Sequence, residues 1–183
     1  RKLKSCDKEE LRRALKLYAV TDRAWLNGRT LEEQAEEALR AGVTMLQARE
    51  KDLEEGAFMQ EALRLRKIAD RFRVPLIVDD NVRVALSSGA DGVHVGQSDL
   101  PAARARAEIG PEKILGVSAQ TVEQAVRAEK DGADYLGVGS VFPTSTKPDA
   151  DSVPLETLRA ICSAVSIPVV AIGGISEQNA LRL

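Results

Sequence analysis

Three basic residues, Arg49, Lys51 and Lys147, and two acidic ones, Asp80 and Asp99, carry the chemistry open to this sequence. Gln47, Arg49 and Lys51 alternate, so on an extended chain they share one face. Arginine offers a bidentate fork and lysine a compact charge; with Lys147 at the same mouth, they would make a strong anion site. Asp80 and Asp99 are hard oxygen ligands. Mg2+ takes one or two such carboxylates and lets water and substrate phosphates complete its octahedron, so these cations and acids suggest a magnesium–polyphosphate substrate. Gly173-Gly174, ahead of a helical segment, is a position where backbone N–H groups bind a phosphate. Two phosphate sites would mean two phosphorylated substrates. No Ser/His/Asp or Cys/His pair for nucleophilic catalysis stands beside them.

Taken singly, each feature has an ordinary reading. Gln47, Arg49 and Lys51 suit a solvated strand end paired with Glu50 or Asp52. Asp79 and Asp80 suit the cap of a helix beginning near Asn81. His94 suits a satisfied core histidine, Thr144–Lys147 a polar loop, and a double glycine any turn. Their common position is what separates them from these readings, because each falls at the end of a predicted strand.

The elements that position them recur along the chain. Short apolar runs, Leu15–Thr21, Val43–Arg49, Pro75–Val78, Gly92–Val95, Lys113–Val117, Tyr135–Val138 and Pro168–Ile172, lack strict alternation and suit parallel strands buried on both faces. Helical stripes lie between them: Leu31, Ala35, Ala38 and Leu39; Phe58, Ala62, Leu65, Ala69 and Phe72; Val122, Ala125 and Val126; Leu155, Leu158, Ile161 and Val165. Gly42, Gly89 and Gly132 stand where helices stop, and Ser5 or Asp7 would cap a helix ending near Leu15. Gly89–Gly96 echoes Gly132–Gly139. Repeated units of this kind predict an α/β fold, a (β/α)8 TIM barrel, in preference to a doubly wound sheet, since no glycine-rich dinucleotide turn follows the first strand. Seven strands are counted, and an eighth β/α unit is lacking in 1–183. The expected organisation is a single barrel domain with residues 1–14 as a helical extension.

The composition is compatible with this. With 183 residues, 44% of them hydrophobic and 30% charged, the chain suffices for one cored domain and is too apolar for disorder. A net charge of -2 argues against nucleic acid or an anionic membrane as partner, and no apolar run approaches the roughly 18 residues of a spanning helix. Cys6 and Cys162 are too far apart in sequence for a redox or metal pair, and one histidine excludes a His-rich zinc site. A cytoplasmic location is expected; a homo-oligomer is left open.

At these residues the sequence resembles the thiamin phosphate synthase (thiamin-phosphate pyrophosphorylase) family. The matching segments are Gln47–Lys51 (Gln-x-Arg-Glu-Lys), Asp79-Asp80, Gly92–Asp99 with its Gly-Gln-Ser-Asp, Leu115–Ser118, Gly139–Lys147 with its Pro-Thr-x-Thr-Lys, and Ala171–Ile175. The resemblance runs from about Leu17 to the last residue. It implies a transferase that joins 4-amino-5-hydroxymethyl-2-methylpyrimidine diphosphate to a thiazole phosphate, with Mg2+ as cofactor and pyrophosphate as leaving group. It also implies roles. Arg49, Lys51 and Lys147 would grip the diphosphate and act with Ser118 in catalysis, and Asp80 and Asp99 would hold Mg2+. Gln47, Ala48, Glu50, Asp79, His94 and Ser118 would complete the pyrimidine diphosphate site, and Thr144, Ser145, Thr146 and Gly174 would bind the thiazole phosphate. Two departures stand out: Asp79 replaces the family's usual Asn, and the eighth strand, which contributes to the thiazole phosphate site, is missing here, implying weak binding of that substrate.

Three rivals are weaker. A thiazole tautomerase barrel would not require Asp80 and Asp99 together with Arg49, Lys51 and Lys147. A non-catalytic regulator that binds thiamin precursors would have no need of the full set. A sugar-phosphate isomerase would want a clear acid/base pair at the strand ends, and Glu50 is the only glutamate near.

Overall fold

The structure is a computed structural model that describes residues 8–144 and 152–183. It forms two compact units, one built on residues 8–94 with 107–114, the other on 95–106 with 115–144 and 152–183. The sequence-predicted caps Ser5 and Asp7, together with Cys6, lie outside the described residues, as do Ser145, Thr146 and Lys147 of the predicted site.

In the first unit, helix α1 (Lys8–Ala14) precedes strand β1 (Tyr18–Val20), and a 3-10 turn, Arg23–Trp25, follows it. Helix α2 (Leu31–Arg40) leads to β2 (Met45–Ala48), α3 (Glu55–Phe72) to β3 (Leu76–Asp79), and α4 (Val82–Ser87) to β4 (Gly92–Val95). Strands β1 to β4 pair in chain order and all in parallel. Every residue of β2, β3 and β4 is buried, which is why these runs are mainly apolar without strict alternation, Gln47, Asp79 and His94 being their buried polar members. Burial of each large aliphatic side chain there contributes about 1.5–3 kcal/mol.

Local chemistry sets the helix limits. Thr30 caps α2, accepting from the N–H of Glu33, while the Glu33 carboxylate accepts from the N–H of Thr30. Leu31, Ala35 and Leu39 form its buried stripe. Ala38 of the predicted stripe is only half-buried. Gly42, Gly89 and Gly132 each follow a helix with positive φ, as the sequence predicts. Helix α3 ends instead on Arg73 at φ 58°, a conformation costly for a side-chain-bearing residue.

In the second unit, β5 (Ile114–Ala119), β6 (Tyr135–Val138) and β7 (Val169–Ala171) pair in parallel in chain order. Helix α5 (Ala102–Ile109) precedes β5, α6 (Val122–Lys130) follows it, and α7 (Leu155–Ala164) lies between β6 and β7. Ala125 and Ala128 form the buried face of α6, and Val126, expected on that stripe, is exposed because the helix packs through the small alanine face. A 3-10 turn, Ala180–Arg182, closes the described residues.

The echoed segments share one structural role. Asp91 Oδ2 accepts from the N–H of Leu76 at 2.9 Å, and its own N–H donates to the Leu76 carbonyl at 2.8 Å. Asp134 repeats this on Leu115 at 2.7 and 2.8 Å, and Thr44 does so on Leu17 through its hydroxyl at 2.8 Å and its N–H at 2.9 Å. Each stands two residues past a left-handed glycine and ties the start of its strand to the start of the preceding one. Arginines complete the aspartate staples: Arg66 pairs with Asp91, and Arg106 with Asp134 at 2.5 Å.

Candidate active site

In the first unit the side chains of interest sit at the C-terminal ends of β2, β3 and β4. Gln47 is buried on β2 and donates from Nε2 to the Tyr18 hydroxyl at 2.8 Å. Strand β2 ends at Ala48, so Arg49, Glu50 and Lys51 lie beyond it. Their backbone is held by the end of β1: the Arg49 N–H donates to Thr21 Oγ1 at 2.9 Å, and the Thr21 hydroxyl donates to the Arg49 carbonyl at 3.3 Å.

Arg49 and Lys51 converge on the two aspartates. Arg49 Nε lies 3.7 Å and Lys51 Nζ 3.6 Å from Asp79 Oδ2, and Lys51 donates to Asp80 Oδ2 at 2.5 Å. Burial by itself would lower the Lys51 ammonium. The hydrogen bond to Asp80 and the charges of Asp79 and Asp80 outweigh burial and the repulsion from Arg49, so its pKa is raised. The ammonium is fully charged near neutrality.

Asp80 has φ 60°, in the left-handed region. Its N–H donates to the His94 carbonyl at 2.7 Å, and the Asn81 N–H reaches back to the Asp79 carbonyl at 2.7 Å. This tight turn reverses the chain directly after β3 and presents both carboxylates to Lys51. Asn81, not either aspartate, caps α4 by accepting from the N–H of Val84 at 2.9 Å, which disposes of capping as the reason for the acidic pair. His94 is buried in register with Asp79. Glu50 turns the other way: its carboxylate is 5% exposed and packed on Arg23.

In the second unit the Gly-Gln-Ser-Asp turn is braced from both ends. Asp99 Oδ2 accepts from the Gly96 N–H at 2.7 Å. A Cβ on residue 96 would meet that same oxygen at 2.7 Å, so a larger residue there would have to push the Asp99 carboxylate aside. Gln97 Nε2 donates to the Ser118 carbonyl at 2.6 Å, which seats the end of β5 beside the turn.

The loops after β6 and β7 lie directly on one another. The Val141 N–H donates to the Ile172 carbonyl and the Phe142 N–H to the Gly173 carbonyl, each at 3.0 Å. Gly173 and Gly174 take φ 98° and 63°, and a Cβ on Gly174 would stand 2.3 Å from the Pro143 carbonyl oxygen. The approach brings Thr144 and Gly174 to one place. Successive backbone N–H groups in such a conformation form an anion-binding concavity.

Among the described residues no three His, Cys, Asp or Glu side chains cluster to hold an ion. Asp80 in the first unit and Asp99 in the second each carry a hard carboxylate oxygen of the kind Mg2+ takes together with phosphate oxygens, so in residue type they suit that ion. Sequence reading assigned no role to Tyr18, Thr21, Arg23 or Gln97, which touch the site residues. Thr21 and Arg23 follow the first predicted strand and Gln97 lies in the Gly-Gln-Ser-Asp segment, so their strand-end position was the signal.

Parallel β/α units with cations and carboxylates gathered at their strand ends are the layout of an α/β enzyme. A model of the thiamine monophosphate synthase family matches residues 17–183, and the chain belongs to that family, whose members are transferases that release pyrophosphate. It is 54% identical over 167 residues to the thiamine-phosphate synthase of Ruminiclostridium cellulolyticum, covering 91% of this chain and 80% of the relative. It is 52% identical over 167 residues to that of Clostridium tetani, with the same coverage of 91% and 80%. The solved structure of thiamine phosphate pyrophosphorylase from Pyrococcus furiosus superimposes with a TM-score of 0.83 at 45% identity, over 93% of this chain and 80% of that one. This likeness gives the fold class, α/β of the TIM-barrel type, with seven strands among the described residues. No helix among the described residues is long and apolar enough to cross a membrane.

Proposed function

We propose that the protein condenses 4-amino-5-hydroxymethyl-2-methylpyrimidine diphosphate with thiazole phosphate, giving thiamin phosphate and pyrophosphate. The observation that carries this is the convergence of Arg49 and Lys51 on Asp79 and Asp80, at 2.5 to 3.7 Å. Each cation is pre-aimed by a carboxylate, and a bound diphosphate would take over the charges that Asp79 and Asp80 now share.

In this reading Arg49, Lys51 and Lys147 bind the diphosphate oxygens, where negative charge grows as the bond from the pyrimidine methylene carbon to oxygen breaks. Preorganised charge at the leaving group is the largest source of acceleration in such chemistry. Asp80 and Asp99 would hold Mg2+, which would supply further charge neutralisation at the phosphates. Pyrophosphate leaves with the bonding electrons, the aminopyrimidine delocalises the positive charge left on carbon, and the thiazole nitrogen closes the new C–N bond. Gln47, Ala48, Asp79, His94 and Ser118 complete the pyrimidine diphosphate site, to which Glu50 belongs through the backbone of its segment while its side chain turns to Arg23, and Ser118 acts with the cations. Thr144, Ser145, Thr146 and Gly174 hold the thiazole phosphate beside it. Positioning two bound reactants supplies much of the remaining acceleration. A single barrel domain over 1–183 with an N-terminal helical extension, two small phosphorylated substrates as partners, and a cytoplasmic location belong to the same proposal.

The test is pyrophosphate release by the full chain, with both substrates or with thiazole phosphate omitted, and with Mg2+ supplied or chelated. Release is expected only with both substrates and the ion, and Asp80→Ala and Asp99→Ala are each expected to abolish it. Normal turnover in either variant would sink the metal assignment. Absence of release under every condition would sink the reaction.

A further inference from the structure

Arg23 stands outside every role assigned above. It opens the 3-10 turn after β1, a turn capped by Asp22, whose carboxylate accepts from the Ala24 N–H at 2.8 Å. The Arg23 guanidinium bridges two carboxylates. Its Nε lies 2.9 Å from Glu50 Oε1 and donates to Glu50 Oε2 at 3.0 Å, and Nη2 donates to Glu61 Oε2 at 2.8 Å. Both glutamate side chains are 5% exposed, and the Oε1 atom of each is buried without a hydrogen bond. Glu61, on α3, has a second cation in Arg64 at 3.1 Å. Among the described residues, Arg23 is the cation that pairs with Glu50.

Glu50 lies between Arg49 and Lys51 in the chain, and its side chain points away from theirs. Drawing Glu50 inward onto Arg23 therefore fixes the phase in which its two neighbours face Asp79 and Asp80. Thr21, two residues before Arg23, secures the backbone of the same segment through Arg49. The end of β1 thus holds the 49–51 segment at two points, one on the backbone and one on the Glu50 carboxylate.

We propose that Arg23 is a positioning residue for the diphosphate grip, acting through Glu50 to hold Arg49 and Lys51 in register. This rests on the reading that Arg49 and Lys51 bind a diphosphate. Without Arg23 the Glu50 carboxylate is buried and unpaired, a state costly enough to drive it outward. Once out, it rotates the segment and competes with the diphosphate for the same two cations.

The experiment compares the wild-type full chain with Arg23→Ala, Arg23→Lys and the double variant Arg23→Ala/Glu50→Gln. It measures calorimetric affinity for inorganic pyrophosphate with Mg2+ present, and the KM of each substrate. Arg23→Ala is expected to weaken pyrophosphate binding and raise the pyrimidine diphosphate KM by about tenfold, leaving the thiazole phosphate KM within about twofold. Arg23→Lys, which keeps the charge but loses the fork, falls between. Glu50→Gln is expected to recover part of the loss by removing the stranded charge. In an Arg49→Ala background the Arg23→Ala penalty shrinks, because the group it positions is gone. Unchanged pyrophosphate affinity in Arg23→Ala overturns the proposal. So does an equal rise in both KM values, or a penalty undiminished in the Arg49→Ala background. If Arg23→Ala does not fold, Arg23→Lys and the double variant carry the same comparison. A wild-type protein that binds pyrophosphate but releases none from the two substrates defeats the synthase reading, and the calorimetric series still decides the role of Arg23.

Discussion

Asp80 combines two demands in one residue: a carboxylate beside Lys51 and a left-handed backbone at φ 60°. Backbone strain of this kind concentrates at functional positions, where surrounding bonds over-determine it. Here the bonds are those from the Asp80 N–H to His94 and from the Asn81 N–H to Asp79. The strain and the carboxylate are separable. Asp80→Ala and Asp80→Gly both remove the acid, but only glycine relieves the backbone. The glycine variant should therefore be about 1 kcal/mol more stable than the alanine variant in urea denaturation, with neither turning over. Equal stabilities would show that the turn relaxes when the side chain is lost. Asp79 is readable at the same scale. An Asn there would offer an amide donor, whereas the carboxylate at 3.6–3.7 Å from Lys51 and Arg49 is an acceptor that holds them as a pair.

At the scale of the element, helix α2 shows how a terminus couples to pH. The Glu33 carboxyl is held below its usual value by the Thr30 N–H first and the Thr30 hydroxyl second. A lowered carboxyl contributes stability that is present above the unfolded value of 4.5 and is lost as pH falls through the lower folded value. The stability advantage of the wild type over Glu33→Gln is therefore expected to be constant from neutrality to about pH 5 and to shrink below about pH 4, measured as urea midpoints. An advantage that persists unchanged into acid would show that the capping box contributes through shape and not through charge. The same logic leaves Lys51 inert across this range: its pKa is raised, so its contribution is lost only as pH climbs above 10.5.

At the scale of the whole molecule, the staples at Thr44, Asp91 and Asp134 fix the parallel register on which the strand-end chemistry depends. They are not equivalent. Asp91 is 3% exposed and joins Arg66 to the Leu76 N–H, so its loss would leave that N–H unmatched and cut the part-buried guanidinium back to its pair with Asp70. Burial pushes the Asp134 carboxyl up, more than the Leu115 N–H and Arg106 pull it down. The folded state thus binds the Asp134 proton more readily than the unfolded chain, and this contribution to stability declines as pH rises above 3.8. Asp91→Asn should cost about 3 kcal/mol near neutrality, and Asp134→Asn distinctly less, in equilibrium unfolding. Equal costs would mean that the charge of Asp134 is better compensated than its surroundings indicate.

Much of this was legible in the sequence. Runs such as Pro75–Val78 and Gly92–Val95 read as short strands buried on both faces, and Gly42, Gly89 and Gly132 mark helix ends because glycine reaches positive φ at little cost. Arg49, Lys51 and Asp80 declared themselves by residue type and by their place at strand ends. The repeated Gly-Ala-Asp was legible as a repeat but not as a staple, since its meaning lies in hydrogen bonds to the preceding strand. The directions of Glu50 and Val126 were equally hidden: a loop has no fixed periodicity, and packing decides which face of a short helix is buried. Residue type and local backbone preference determined which groups this protein brings to its chemistry. Which way Glu50 turns, what Arg23 holds and why Asp80 tolerates its backbone were decided only by the tertiary structure, because each depends on partners about 15 to 40 residues away in the chain.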